Sequence, residues 1–205
     1  MSEFQFPPSI RSRPVYGKFE TRAGKHCLMI ADAEGAEAIL DMVQKTDNSQ
    51  GIMDDTHIIY VPKHTEETYV KKLEALGARQ FYLGVSYEDS VPRLRQILAK
   101  AHMGLQIYLA GTEGLMGQAQ REAVEAGIPH TAIQMEHRGS VARRMQCVHC
   151  KGITEDVITD PFICSHCGLN LFVRDHYSRR LAAFQAVRVD AEDHGNVPDQ
   201  VELYK

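Results

Sequence analysis

Nowhere in the 205 residues is there an apolar run long enough to cross a bilayer as a helix, so a helical membrane protein is not expected. The amino terminus has no basic start followed by an apolar stretch. Glu3, Pro7 and Pro8 stand there instead, so no secretory leader is expected and the chain reads as cytoplasmic. Basic charge is not in excess either. Lys and Arg number 23 against 27 Asp and Glu, a net charge of −4, which offers nothing to nucleic acid or to an anionic membrane. Cysteine is scarce, at five, and no Cys-x4-Cys-x2-Cys run is present to hold a plant-type iron–sulfur cluster. What is there, 43% apolar and 24% charged residues, is the composition of a globular protein, long enough for one ordinary domain and a small appendage.

Four of the five cysteines form two Cys-x-x-Cys pairs, Cys147 with Cys150 and Cys164 with Cys167, with thirteen residues between the pairs. Each pair suits a tight knuckle that presents two thiolates to one ion, and four soft ligands complete a tetrahedral site. Gly152 and Gly168 lie just past the knuckles, where the backbone must fold back with its amides turned towards sulfur. A structural zinc is the expected occupant. Iron, held as in rubredoxin, takes the same four thiolates and is the alternative. His149 and His166 sit inside the knuckles and, with four thiolates at hand, are expected to face solvent or a backbone carbonyl. Cys27 lies in an apolar stretch and is expected to be a small core residue.

Residues 1–24, with Arg11, Arg13 and Pro14, read as an arm across the domain or a partner. From residue 25 to 138 short apolar runs alternate with stripes at helical spacing. Strands are expected at 26–31, 57–61, 80–85, 106–110 and 131–135. Helices carry Ala36, Ile39, Leu40 and Val43; then Val70, Leu73 and Leu76, capped by Thr65 with Glu66 and Glu67 in the first turn; then Leu94, Ile97, Leu98 and Ala101, capped by Ser90 with Pro92 in the first turn; and finally the stretch to Ala126. Five such alternations with short connections predict a doubly wound α/β fold with a parallel five-stranded sheet and right-handed crossovers.

In such a sheet, of order 3-2-1-4-5, a ligand sits beyond the carboxyl ends of strands one and four, lined by Ala31 to Gly35 and Gly111 to Gly114. The first turn carries Asp32 and Glu34, whose charges would oppose a pyrophosphate that the helix ends would otherwise favour.

Residues 139–190 hold the ribbon and a following segment, and 191–205 read as a polar tail without structure of its own. Asp175, His176, Tyr177, Arg179 and Arg180 crowd together after the cysteines. His176 oriented by Asp175 would serve as a proton donor, and Arg179 and Arg180 would grip a carboxylate or propionate on a partner. A helix face with Leu181, Phe184 and Val187 as its packed stripe is the reading preferred to catalysis, and an interface role to both. The basic linker from Arg138 to Arg144 is open to the same interface reading or to that of a solvated turn.

The run Ile107-Tyr108-Leu109-Ala110-Gly111-Thr112-Glu113-Gly114-Leu115-Met116, followed by Gly127-Ile128-Pro129 and a strand ending in Glu136, resembles the last part of the nicotinamide-binding domain of ferredoxin reductases. That family has a strand, Cys-Gly-Pro-x-Gly-Met, a helix and a closing Glu; here Ala110 and Thr112 replace the Cys and Pro. The resemblance implies that fold, with Gly111, Thr112 and Gly114 as the place where a nucleotide would be held. From about residue 24 to 190, and most specifically in the ribbon and the phrase around His176, the chain resembles the small subunits of dimethylamine monooxygenases. That resemblance implies an accessory, non-catalytic subunit of a haem-dependent enzyme that uses NADPH and oxygen to turn dimethylamine into methylamine and formaldehyde. Haem, FMN and the iron–sulfur cluster would belong to larger partner subunits of a hetero-oligomer. The alternatives are a rubredoxin-like electron carrier and a reductase component that brings NAD(P)H to a partner's flavin.

Overall fold

The computed structural model describes residues 14–22, 26–46, 49–63 and 67–205, without the side chains of 49 and 50. The expected roles of Arg11, Arg13, Thr65 and Glu66 lie outside the described residues. Two compact units divide the chain, one over Tyr16–Val141 and the other built on Ala142–Lys205. No helix among the described residues is long and apolar enough to cross a membrane.

The first unit runs β1 (His26–Asp32), α1 (Gly35–Gln44), α2 (Ser49–Met53), β2 (Thr56–Val61), α3 (Glu67–Glu74), β3 (Gln80–Leu83), α4 (Tyr87–Ala99), β4 (Leu105–Gly111), α5 (Glu113–Glu125) and β5 (Ile133–His137). Its five strands are all parallel, in the order β3-β2-β1-β4-β5. This is the doubly wound sheet expected from the alternation. Strand side chains alternate between faces, and both faces are covered. Leu28 and Ile30 of β1 pack with Leu94 and Leu98 of α4 and Leu115 of α5. Met29 and Ala31 pack instead with Ile39 of α1 and Leu73 of α3.

Helix α4 begins a turn earlier than the sequence suggested. Ser86, not Ser90, is its cap: the backbone there is extended and the hydroxyl accepts from the Asp89 amide, while Ser90 is buried inside the helix and donates back to the Ser86 carbonyl. Two serines four residues apart both fit a cap signature, and the close approach of Gly84 to Ser90 shows which one lies inside. Residues 16–22 run beside β5. Gly17 donates to the Met135 carbonyl, Phe19 N and Lys18 Nζ reach Glu136 at 2.7 and 2.9 Å, and Tyr16 donates to Glu113.

The second unit contains β6 (Arg143–Cys147), β7 (Ile153–Val157), β8 (Thr159–Asp160), β9 (Phe162–Ile163), β10 (Asn170–Ser178), β11 (Ala183–Arg188) and β12 (Val201–Glu202). Its sheet has the order β7-β6-β11-β10-β9, with β11 parallel to β6 and antiparallel to β10. The helix face expected to carry Leu181, Phe184 and Val187 is therefore part of a β-hairpin, with Leu181 in the turn and Phe184 and Val187 on β11. Leu171 and Tyr177 are buried while Phe172, Arg174 and His176 are exposed, an alternation of period two that the chance spacing of Leu181, Phe184 and Val187 concealed. The tail read as unstructured contains β12, which pairs with β8, and Leu203 N and Tyr204 N both donate to the Ile158 carbonyl. Its polar composition hid the pairing because the bonds are made by backbone. The core joins Met145, Phe162, Leu171, Tyr177 and Phe184 to Cys147 and Cys164.

Candidate metal centre

Each Cys-x-x-Cys knuckle is the turn of a hairpin, the first between β6 and β7 and the second between β9 and β10. The two turns make the same bonds. Cys147 N donates to the Gly152 carbonyl and Lys151 N to the Cys147 carbonyl; Cys164 N donates to the Leu169 carbonyl and Gly168 N to the Cys164 carbonyl, all at 2.9 to 3.0 Å. The fifth residue of each turn is left-handed, φ 65° at Lys151 and 72° at Gly168, so the turn uses glycine once and strains a lysine once. At Gly152 the need is for space, since a Cβ would come 2.5 Å from the His166 ring.

The four sulfurs lie within 4.8 Å of one another. Cys147 and Cys167 are 3.9 Å apart and Cys150 and Cys164 3.7 Å, far beyond a disulfide. A tetrahedron with metal–sulfur bonds of about 2.3 Å has edges of about 3.8 Å, so the donor set fits one four-coordinate ion. Cys147 and Cys164 are buried and the other two half-buried. Burial pushes the Cys164 thiol up, but the Cys167 and His166 amides and the neighbouring thiols bring it down to about 6. The Leu169 amide favours the Cys167 thiolate, yet burial and the three other thiols push that group up to about 12. Sulfurs this close cannot all ionise without a cation among them. His166 Nε2 lies 2.7 Å from the Ile153 carbonyl, and His149 is exposed, as expected of histidines that are not ligands.

The sheet crevice is arranged differently. Gly111 has φ 116°, and a Cβ there would meet the Asp32 carboxylate. Asp32, fully buried, accepts from the Thr112 amide at 2.8 Å and the Thr112 hydroxyl at 2.6 Å, with Lys63 Nζ at 3.6 Å. Thr112 in turn caps α5 through the Leu115 amide. Gly114 lies in the first turn of that helix. Asp32 entered the sequence reading only as a repulsive charge; a carboxylate directly after the apolar run Cys27–Ala31 was the available signal that it had an internal partner.

In the second unit, Asp175 pairs with Arg143 at 3.6 Å. His176, its neighbour on the strand, is exposed and faces the other way, so the pair does not form a proton-donor couple. Arg179 and Arg180 are exposed beyond the strand end. Gly139, Ser140 and Val141 in the middle of the basic linker are exposed, but its arginines are engaged. Arg138 bonds Glu136 and Asp41, Arg144 bonds Glu155, and Arg143 is buried between the rings of Phe184 and Tyr204 at 4.3 and 4.4 Å. The sequence reading did not single out Tyr204 or its link to Arg143, since the two are sixty-one positions apart and share no motif.

Two family models match this chain: the N-terminal domain of the DmmA-like subunit of dimethylamine monooxygenase over residues 8–133, and the C-terminal domain of the same subunit over residues 144–187. The delta subunit of a heme-dependent oxidative N-demethylase from Ectopseudomonas mendocina (strain ymp) is 32% identical over 99 residues, 48% of this chain and 57% of that one. The chain thus matches little more than half of that relative's length. Among solved structures, the FAD/NAD-binding domain of nitric oxide dioxygenase from Vibrio cholerae O1 biovar El Tor aligns with 62% of this chain and 56% of its own, at 15% identity and a TM-score of 0.43. Phthalate dioxygenase reductase aligns with 71% of this chain and 47% of its own, at 12% identity and a TM-score of 0.44.

Proposed function

This chain belongs to the DmmA-like family of dimethylamine monooxygenase subunits, and from that premise we propose that it serves as an accessory subunit of a haem-dependent amine monooxygenase, with a zinc ion held by Cys147, Cys150, Cys164 and Cys167. The observation that carries this reading is that four cysteine sulfurs lie within 4.8 Å of one another, enough to fill all four positions around one ion. A closed site of this kind stabilises a fold and leaves no position for substrate or activated water. Two further observations support an accessory role. The Thr112 amide and hydroxyl, where a nucleotide phosphate would be bound at Gly111, Thr112 and Gly114, are already engaged by Asp32. Beside them, Tyr16 of the arm donates to Glu113 at the start of α5. Haem, FMN and an iron–sulfur cluster, together with NADPH oxidation and conversion of dimethylamine to methylamine and formaldehyde, are assigned to larger subunits of a cytoplasmic hetero-oligomer.

Elemental analysis and an absorption spectrum of the chain purified alone test the metal, and reconstitution with the larger subunits tests the role. One zinc per chain, no visible band, no NADPH oxidation alone and an assembly that fails without it are the expected results. One iron per chain, with a band that bleaches on reduction, would replace this reading with that of an electron carrier.

A further inference from the structure

At the end of the parallel sheet opposite the Asp32 crevice, a cavity of about 390 Å³ opens between the strands and α4. Parallel strands all begin at one edge, so His26 of β1, His57 of β2, Gln80 of β3 and Leu105 of β4 meet there. Helix α4 adds Arg93, Gln96, Ile97 and, at its C-cap, Lys100. The spacing i, i+3, i+4, i+7 places these four on one helix face. Arg79 and His102 complete the polar wall, and no Asp or Glu among the described residues lines it.

The charge on this wall is only partly met. Asp55 lies 3.0 Å from Arg79 and 3.8 Å from His26. Arg93 donates to Gln80, a neutral acceptor that leaves the guanidinium charge uncompensated. The Lys100 ammonium group has no hydrogen-bond or ion-pair partner among the described residues, while its backbone amide donates to the Ile97 carbonyl. His57 Nδ1 is buried and without a hydrogen-bond partner there. Burial, with Arg93, Arg79 and His26 nearby and against a hydrogen bond with Gln80, holds the pKa of His57 below its ordinary value. A neutral imidazole keeps one N–H to donate. The carbonyl end of α4 acts against an anion, and Lys100 at that end offsets it.

We propose that this cavity binds a phosphate-bearing small molecule, with the phosphate held by Arg79, Arg93 and Lys100 and the carbon part resting on Ile97, Ala101 and Leu105. Three fixed positive charges less that of Asp55 leave two, which a phosphate monoester dianion matches and a single carboxylate does not. Arginine forks suit phosphate oxygens. The volume falls in the range of small-molecule sites of about 300–1,000 Å³ and leaves room beyond the phosphate for an organic part.

The test is an amide-resolved NMR titration of the full chain, free of partner subunits, with adenosine 5′-monophosphate, with inorganic phosphate, and with sodium chloride at matched ionic strength. Shifts are expected at His57, Gln96 and His102 and not at Thr112, with the monophosphate binding more tightly than phosphate. The double substitution Arg93→Gln/Lys100→Gln, at side chains outside the Leu94 and Leu98 core, is expected to weaken binding about tenfold or more without lowering the melting temperature. Equal shifts with chloride, shifts centred on Thr112 and Gly114, or unchanged affinity in the double variant overturn the proposal. Equal affinity for phosphate and the monophosphate overturns the role given to the apolar wall.

Discussion

Replacing Asp32 by alanine removes the acceptor that joins the end of β1 to the start of α5. Two donors lose their partner, the Thr112 amide and its hydroxyl, which bond Asp32 at 2.8 and 2.6 Å in a fully buried position. A buried donor left unsatisfied costs about 1–3 kcal/mol, so the two together amount to roughly 4 kcal/mol. Lys63, about a third exposed, turns to water and adds little. For a unit of this size the loss corresponds to a fall in melting temperature of roughly 10–20 °C. Asp32→Asn keeps the shape and one acceptor oxygen, and its amide can donate to the Thr112 hydroxyl. It should cost about 1.5 kcal/mol or less. Thermal or urea unfolding of the full chain, followed by signals from Tyr16–Val141, measures both, and a double-mutant cycle with Thr112→Val should recover about 1–3 kcal/mol of coupling. A loss below about 1 kcal/mol for Asp32→Ala, or an Asn variant as damaged as the Ala variant, refutes the reasoning.

Asp32 and Glu136 should respond to pH in opposite directions. Burial raises the pKa of Asp32 above 3.8 despite the opposing bonds from Thr112 and Lys63, so its contribution is fully present below that value and is lost as pH rises through the folded one; the unfolding free energy of the protein relative to Asp32→Asn should fall over that window. At Glu136 burial also pushes upward, but the bonds from Lys18, Phe19 and Arg138 outweigh it and hold the pKa below 4.5, so its contribution is present above 4.5 and lost as pH falls through the folded value; comparison with Glu136→Gln measures it. Cys164→Ser should drop the bound metal well below one per chain and collapse the amide spectrum of residues 142–205, while that of 26–137 persists, because ion binding and folding are coupled in the ribbon. Arg143→Ala removes two ring contacts and an ion pair from a buried site and should destabilise the second unit by about 2–4 kcal/mol in urea unfolding.

The parallel sheet and the cysteine ribbon were legible in the sequence because each leaves a periodic or spaced trace: Leu28 to Ala31 as an unbroken apolar strand, Ile39 and Val43 one helical turn apart, and two knuckles with matching spacing. The structure places those strands in the order the crossovers demand. What escaped notice lacked such a trace. The β10 and β11 hairpin alternates, but a register shift between Val173 and Tyr177 interrupts it, and the spacing of three among Leu181, Phe184 and Val187 imitates a helix. Arg143 depends on Tyr204, and β8 on β12, through contacts between positions about forty or sixty apart, which no local window registers. The Asp32 to Thr112 link spans eighty residues, and the amino-end cavity gathers side chains from 26 to 105.

The matched hairpin turns give the ribbon a cross-link of an unusual kind. A disulfide between Cys150 and Cys164 would close the same excursion of chain, but reductants would decide whether it existed. Here an ion would add a tie between two equal halves that the sheet and core already bring together, their thiol sulfurs standing 3.7 Å and more apart. With an ion bound, the integrity of the second unit would depend on metal supply as well as on the thiols staying reduced. A culture starved of the ion would accumulate chains whose first unit is intact and whose second is open, a fault that a chelator should reproduce and added metal should reverse.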